Sequence, residues 1–471
     1  MSINRDILKL AIPSILANIT VPIVGMVDIA VAGHLTGEVA TMIGGIAIGT
    51  MLFDLLYWNF GFLRVGTGGL TAQAYGRNDM RECSKILTRA IGVSLAFALA
   101  LIAIQWLFVK AAFLVVDCTP EVRELASRYF FIRIWAAPAT LSLMAFKGWF
   151  IGMQDSVSTM VVDFVVNGMN ILMSIVLALG IPAGTLSDAA FSSKWLLRPM
   201  GFAGIATGTV VAQYSGLFTA LALLLFKYAR KVFADYKIAD VKAAFAGSET
   251  RRFFVMNTDL FVRSLCFIAI YIGFTTISAG FGDLLLAVSS IMMKLLMIFS
   301  YFTDGFAYAG EALTGRYIGA RDSHMVRQTV RWTFVWSMGL ALIFMGIYHY
   351  AGVPMLKMMT SDAAVITQAK EFLPWLLLMP VVGCAAFAWD GIYIGATASK
   401  QIRNAMLWAV VAFAGVWFVG RLGLDWLGLM DIQQGSERYF IISMHFLMAA
   451  YFAHLLARTI YLSVKYRQVI R

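Results

Sequence analysis

The chain has 471 residues, of which 60% are hydrophobic and 13% are charged, and its formal net charge at pH 7 is +11. A soluble domain carries about 45–50% apolar and about 25% charged residues, so this composition excludes a soluble enzyme, a disordered chain and a nucleic-acid-binding protein. The basic residues lie in short runs between apolar segments, a pattern that reports orientation in membrane proteins.

Long apolar stretches follow one another along the whole chain. A helix needs about 20 mostly apolar residues to cross a bilayer. Twelve stretches meet this requirement, at residues 7–33, 40–75, 86–114, 123–152, 157–181, 201–227, 253–280, 284–316, 325–350, 363–396, 402–425 and 438–464. Backbone polar groups in lipid must be bonded within the protein, and none of the stretches alternates as a barrel strand does. The sequence therefore predicts an all-α membrane protein with twelve transmembrane helices.

The connections between these stretches predict the orientation of the chain. One set of alternate connections is rich in Lys and Arg and includes Arg77, Arg81, Arg89, the linker 227–252 and the C-terminal KYRQVIR, whereas the other set is poorer. Basic connections stay on the cytosolic side, so we expect both termini in the cytosol.

The sequence repeats itself at an offset of 243 residues. Residues 69–79 resemble residues 312–322, with Leu70 matching Leu313, and residues 146–152 resemble residues 389–395, with Gly152 matching Gly395. The polar linker 227–252 separates six spans within 1–226 from six within 253–471. Copies with an even number of spans share one orientation, so we expect two six-helix bundles related by a pseudo-twofold axis along the membrane normal, as in secondary transporters.

Several motifs resemble those of one family of transporters. They are Ala17 to Asp28 followed by Gly33-His34-Leu35, Gly69 to Gly76, Asp304 to Ala309, Gly319 to Asp322 and Asp390 to Thr397. In these segments, which are spread over nearly the whole chain, the protein resembles the DinF-type branch of the MATE multidrug exporters. The resemblance implies a twelve-helix antiporter of a bacterial inner membrane that expels cationic or amphiphilic compounds in exchange for protons or sodium ions.

Asp28 is the first candidate for coupling the cation to transport. It lies near the outer end of the first span among the apolar neighbours Gly25, Met26 and Val27. A carboxylate at bilayer depth must face protein or water, which makes it a functional candidate. The resemblance implies that the matching aspartate couples cation movement to transport. The alternative is an aspartate that reaches the outer interface or caps a turn.

The fifth span carries further candidates. Asp163, Asn167, Asn170 and Ser174 follow the spacing i, i+4, i+7, i+11, so they form one polar stripe that must face the protein interior. We expect Ser174 at the depth of Asp28. The resemblance maps Asn170 onto an Asn of the family's site, but the family's usual Asp four residues on is here Ser174. The proton site therefore rests mainly on Asp28, with Asp163 as a possible substitute, unless the amides merely bond neighbouring helices.

A second group of charges is predicted in the inner half, and it consists of Arg64, Lys147, Asp304, Glu311 and Asp390. Lys147 and Asp390 occupy equivalent positions of the two copies, so we expect ion pairs between the copies that hold the cytosolic side shut. The alternative is that Arg64 and Glu311 reach the interface. On the seventh span, Asp259 is expected to pair with Arg263 one turn later.

The sequence also bears on two alternatives to an antiporter, a flippase and an enzyme. A flippase for a lipid-linked precursor uses the same two-bundle design, but Asp, Asn and Ser in the outer half favour a cationic or neutral substrate. An enzyme is disfavoured because the sequence has no HExxH or GxSxG motif. A nucleotide-binding GxxxxGK[ST] motif is also missing, so an ion gradient is expected to drive transport. No cofactor and no metal ligand set is predicted, and the outer loop 182–199 is assigned no role.

Overall fold

The structure is a computed structural model, and it describes residues 3–35, 39–114, 116, 118–182, 195–233, 237–426 and 437–469. Within these ranges, twelve helical segments are long and apolar enough to cross a membrane, which confirms the predicted number of spans. The fold is all-α. A short antiparallel pair of strands, β1 (Ile181–Pro182) and β2 (Trp195–Leu197), flanks the predicted outer loop, and residues 183–194 of that loop lie outside the described residues.

The helices of the first half are α1 (Ile3–Gly33), α2 (Val39–Trp58), α3 (Phe62–Gly76), α4 (Met80–Ala112), α5 (Pro120–Arg133), α6 (Ala137–Gly152), α7 (Ser156–Leu179) and α8 (Phe202–Val232). After the short linker helix α9 (Ile238–Ala244) come α10 (Ser248–Ala279), α11 (Asp283–Gly319), α12 (Ser323–Met359), α13 (Ala363–Gly395), α14 (Ser399–Trp426) and α15 (Glu437–Val469). In the first half, a single turn of 3₁₀-helix joins α2 to α3 and another joins α5 to α6, so each pair forms one span.

The reversals between helices repeat in the two halves. Asn78 and Arg321 both have φ of 58°, and Gln154 and Thr397 have φ of 65° and 54°. Such left-handed conformations are uncommon for residues other than glycine. The members of each pair are 243 residues apart, so the duplication found in the sequence recurs in the backbone.

A close helix crossing is also repeated. A Cβ atom placed on Gly148 of α6 would lie 2.1 Å from the carbonyl oxygen of Arg64 on α3. A Cβ atom on Gly391 of α13 would lie 2.1 Å from the carbonyl oxygen of Ala307 on α11. In each half, the second and fourth spans therefore approach backbone to backbone, which small residues permit.

The contacts divide the chain into two compact units, which differ at their edges from the expected domain boundaries. One unit, the N-terminal unit, runs from Leu16 to Arg251. The other, the C-terminal unit, combines the chain up to Ile15 with Arg252–Arg471. The first half of α1 joins the C-terminal unit because Gly305 leaves room for Ala11 and Ile15, and because Trp336 Nε1 donates a hydrogen bond of 3.2 Å to Asn4 Oδ1.

The predicted linker packs onto the N-terminal unit. Arg81 of α4 donates two hydrogen bonds, of 2.8 and 2.5 Å, to Asp240 Oδ1 of α9. Arg89 Nε donates a hydrogen bond of 2.6 Å to the carbonyl oxygen of Ala244. These contacts explain why residues 227–251 group with the N-terminal unit instead of forming a separate segment.

Candidate functional site

Asp28 of α1 and Ser174 of α7 meet inside the N-terminal unit. Asp28 is 7% exposed and Ser174 is fully buried. Ser174 Oγ donates a hydrogen bond of 3.0 Å to Asp28 Oδ1. The structure thus brings together two of the predicted coupling residues, at the common depth that the sequence predicted.

Asn170 lies one turn before Ser174 and has a hydrogen-bond acceptor to spare. Its Nδ2 donates a hydrogen bond of 2.9 Å to Thr209 Oγ1 of α8. Its Oδ1 is buried and has no hydrogen-bond partner among the described residues. An unsatisfied buried amide oxygen is costly, which makes it a natural ligand for a cation or for a donor group.

Thr209 was missed by the sequence analysis. The approach of α8 to α7 that places it there depends on Gly204 and Gly208, because a Cβ on Gly208 would lie 2.6 Å from the backbone nitrogen of Ser174. These glycines form a GxxxG motif, which is the signal in the sequence that could have predicted a close helix pair at this level.

Asn167 provides a second hydrogen bond between α7 and α1. Its Nδ2 donates a hydrogen bond of 2.5 Å to Thr20 Oγ1, and Thr20 Oγ1 in turn donates to the carbonyl oxygen of Ala17. Thr20 and Asp28 are separated by about 12 Å along the helix axis at 1.5 Å per residue. Polar contacts therefore hold α1 against α7 at two levels, and Thr20 is a second residue that the sequence analysis did not single out.

Asp163, the remaining member of the polar stripe, has a different environment. Its carboxylate forms an ion pair with the ammonium group of Lys147 on α6. Both side chains are partly exposed, at 16% for Asp163 and 27% for Lys147. The structure thus places this acid with a base of its own unit, and the role of Asp163 as a substitute proton site stays a prediction.

Arg133, at the end of α5, is a charged neighbour of Asp28 that the sequence analysis overlooked. Its Nη1 donates a hydrogen bond of 3.2 Å to Tyr129 Oη, and its guanidinium lies 4.7 Å from the ring centre of Phe53. The guanidinium is close enough to act electrostatically on Asp28. The signal was a base well inside the predicted span 123–152, where a charge is costly.

Asp390 of the C-terminal unit is bound by two arginines. Its Oδ2 accepts a hydrogen bond of 2.5 Å from Arg458 of α15 and one of 2.7 Å from Arg263 of α10. The expected pairing of Arg263 with Asp259 is wrong, because Asp259 instead accepts hydrogen bonds of 2.5 Å from Arg403 and 2.8 Å from Ser399. Contacts from other helices thus replace the local pair.

The five predicted gating residues lie on the paired second and fourth spans of the two units. Arg64 is on α3, Lys147 is on α6, Asp304 and Glu311 are on α11, and Asp390 is on α13. Glu311 is fully buried within the protein. Lys147 and Asp390 have ion-pair partners within their own units, which the sequence analysis had not expected. The gating role stays a prediction.

A duplicated set of membrane-spanning helices with acids, amides and arginines buried inside it defines a membrane transporter. The MatE family model matches residues 13–176 and 260–419, and the chain belongs to this family, whose members are transporters and not enzymes. The ends of the two matched segments, residues 176 and 419, are the same 243 positions apart as the internal repeat.

Relatives agree with this assignment. The chain is 32% identical over 429 residues to the DNA damage-inducible protein F of Escherichia coli (strain K12). This match covers 91% of this chain and 87% of that protein. It is 24% identical over 421 residues to a probable multidrug resistance protein NorM of Photorhabdus laumondii, with 88% and 86% covered. The predicted membership of the MATE family and its DinF-type branch is confirmed.

The fold is also similar to that of a solved structure, described as the outward-facing conformation of a multidrug resistance MATE family transporter of the MOP superfamily. The TM-score is 0.82 at 14% sequence identity, and the match covers 100% of this chain and 97% of the other. The protein is a multi-pass membrane transporter of the MATE family.

Proposed function

We propose that the protein is a secondary active antiporter that exports cationic or amphiphilic small molecules in exchange for protons or sodium ions. The proposal includes a location in a bacterial inner membrane with both termini in the cytosol. The observation that carries it is the buried carboxylate of Asp28, whose hydrogen bond comes from one hydroxyl group, that of Ser174. A carboxylate buried inside a membrane protein is costly, and such groups mark ion and proton pathways in transporters.

The oxygen atoms around Asp28 support either coupling ion. Asp28, Ser174 and the spare Oδ1 of Asn170 supply carboxylate, hydroxyl and amide oxygens, which are the ligand types that hard cations prefer. The single carboxylate equally suits one proton. In both cases, the bound cation neutralises the buried charge of Asp28.

Cation binding also changes the contact between α1 and α7. The hydroxyl of Ser174 donates to Asp28 when the carboxylate is ionised. A protonated Asp28 is a neutral and therefore weaker acceptor, and it gains an O–H donor of its own, so this hydrogen bond weakens or reverses. A weaker link between the outer parts of the two helices gives a route from cation binding to the release of substrate.

A transport assay tests the proposal. Protein reconstituted in vesicles should move a fluorescent organic cation when a pH gradient is imposed without sodium, or when a sodium gradient is imposed at constant pH. Asp28→Asn should abolish gradient-driven movement in a folded protein. The control is Ser14→Ala, which removes another buried hydroxyl of α1, one that bonds to the carbonyl of Leu10.

Two results would contradict the proposal. One is normal transport by Asp28→Asn. The other is movement of a fluorescent lipid-linked precursor between leaflets without movement of the organic cation, which would identify a flippase.

A further inference from the structure

The three-residue cluster of Arg263, Asp390 and Arg458 in the C-terminal unit is not part of the cation site proposed above. It joins α10, α13 and α15 through the single oxygen Oδ2 of Asp390. The side chains of Asp390 and Arg458 are 9% and 3% exposed, whereas that of Arg263 is 25% exposed. The cluster is therefore buried, with Arg263 as its most accessible member.

The charges of this cluster do not balance. Two guanidinium groups face one carboxylate, which leaves one positive charge in excess. Asp259, the acid one turn before Arg263, is already bound by Arg403 and Ser399. A buried positive charge is strongly unfavourable without an acid beside it, so an anion that joined the cluster would balance its charge.

The hydrogen-bonding capacity of the cluster is also unused. Asp390 Oδ1, Arg263 Nε and Arg458 Nε are buried without a hydrogen-bond partner among the described residues. His454 lies one turn before Arg458 on α15 and is fully buried. Its ring interacts electrostatically with the guanidinium of Arg458.

The way in which the arginines bind Asp390 leaves part of their hydrogen-bonding capacity unused. An arginine holds a carboxylate best through two parallel hydrogen bonds, with two nitrogens facing two oxygens. Arg263 and Arg458 each give one terminal nitrogen to the same oxygen of Asp390. About a quarter of the Arg263 side chain is exposed, so a further oxyanion can reach this guanidinium.

We propose that this cluster is a binding site for a carboxylate group, which enters at Arg263 and shares the two arginines with Asp390. Asp390 then competes with the ligand for the two arginines. When no ligand is bound, Asp390 compensates one of their two positive charges. The inference that this carboxylate belongs to an exported molecule rests on the proposed antiport. Such a molecule would carry a carboxylate besides the cationic or apolar groups assigned to the substrate above.

A binding experiment tests the site without transport. Purified full-length protein in neutral detergent is titrated with benzoate, and with benzamide as an uncharged probe of the same shape, by calorimetry. Benzoate should bind at least about tenfold more tightly than benzamide. Arg263→Gln should weaken benzoate binding by about tenfold or more, because the accessible guanidinium is lost.

Asp390→Asn gives the sharper result. It removes the competing charge but keeps the shape of the side chain, so benzoate should bind about tenfold more tightly than to the wild type. A structural role alone predicts weaker binding or none. The matched control is Arg403→Gln, which breaks the other arginine–aspartate pair of this unit and should leave benzoate affinity unchanged.

The inference is overturned if benzoate and benzamide bind alike, or if Arg263→Gln and Arg403→Gln weaken benzoate equally. The wild-type comparison of the two probes decides the matter even if Asp390→Asn fails to fold. Absence of benzoate binding in a protein that still exchanges organic cations would remove the carboxylate site and leave the proposed antiport intact.

Discussion

The two units place different chemistry at equivalent positions of one duplicated backbone. At the offset of 243 residues, Asp28 corresponds to Tyr271, Asn170 to Phe413 and Ser174 to Trp417. Phe413 and Trp417 are buried in the core of the C-terminal unit, and Tyr271 packs against that core. The same helices thus pack well with aromatic side chains. The polar set of the N-terminal unit is therefore not required for packing, which supports a functional reason for keeping it.

The inner parts of the units differ in charge as well. Lys147 corresponds to Asp390, and Thr20 corresponds to Arg263. In the N-terminal unit the base on the fourth span pairs with Asp163, and in the C-terminal unit the acid pairs with two arginines. The backbone crossing next to each of these residues, at Gly148 and Gly391, is nonetheless the same. The comparison teaches that the duplication preserved helix geometry while the polar and charged side chains of the two copies diverged.

Reversing the polarity of the equivalent residues Asn170 and Phe413 tests this division most severely. Phe413→Asn removes a buried ring and leaves an amide in an apolar core, so it should lower the free energy of unfolding by about 3–5 kcal/mol. Asn170→Leu, the reciprocal change from polar to apolar, should cost about 1 kcal/mol or less beyond the lost bond to Thr209 and yet stop cation transport. Thermal unfolding and the vesicle assay measure the two effects. Equal loss of stability in both variants would refute the contrast.

The glycine crossings should respond alike in the two units. Gly148→Ala and Gly391→Ala each place a methyl group against a backbone carbonyl that cannot rotate away, so each should destabilise by about 1–3 kcal/mol. Gly168→Ala and Gly339→Ala, where a Cβ would meet nothing within 4 Å, are the controls and should be neutral or slightly stabilising. Unequal effects of the first pair would show that the crossings are not equivalent in energy.

The turn directly before α7, which contains Asp155, is expected to make the smallest contribution to stability, and this contribution depends on pH. Burial raises the pKa of the Asp155 carboxyl, but hydrogen bonds from Lys227, Ser158 and Tyr228 outweigh burial and hold this pKa below its ordinary value of 3.8. The stabilisation is therefore present above that value and is lost as the pH falls through the folded-state pKa. The equivalent residue of the other unit is Ala398, so this carboxylate is particular to the N-terminal unit.

Asp155→Asn should accordingly lower stability by about 1 kcal/mol at neutral pH, because Lys227 is half exposed and its ion pair is screened. The difference from the wild type should stay constant from neutral pH down to about pH 4 and shrink as the pH falls below 3.8, as measured by thermal unfolding between neutral pH and about pH 2. The control is Asp322→Asn at the start of α12, where the carboxylate caps Met325 and an amide can cap equally well. A pH-independent loss for Asp155→Asn would contradict the ionic contribution.

The sequence predicted the parts of the molecule that depend on local chemistry. Apolar length predicted the twelve spans, and equal depth predicted the meeting of Asp28 and Ser174. Partners supplied by distant helices were not predictable in this way. Thr209 and Arg458 lie far along the chain from Asn170 and Asp390, and periodicity within one helix carries no information about them. Asp259 shows the same limit, since its partner was sought on its own helix and proved to be Arg403.

The division of α1 between the two units has a practical consequence for producing the halves of the molecule separately. Gly305 lies against Ala11 and Ile15, and Trp336 hydrogen-bonds Asn4, so a fragment that starts after the linker lacks a piece of its own packing. If the chain were cut there, the second half would expose the apolar surface that residues 3–15 normally cover. A synthetic peptide of residues 3–15 added in trans should restore this packing, so the first turns of α1 are needed for the C-terminal unit to be complete.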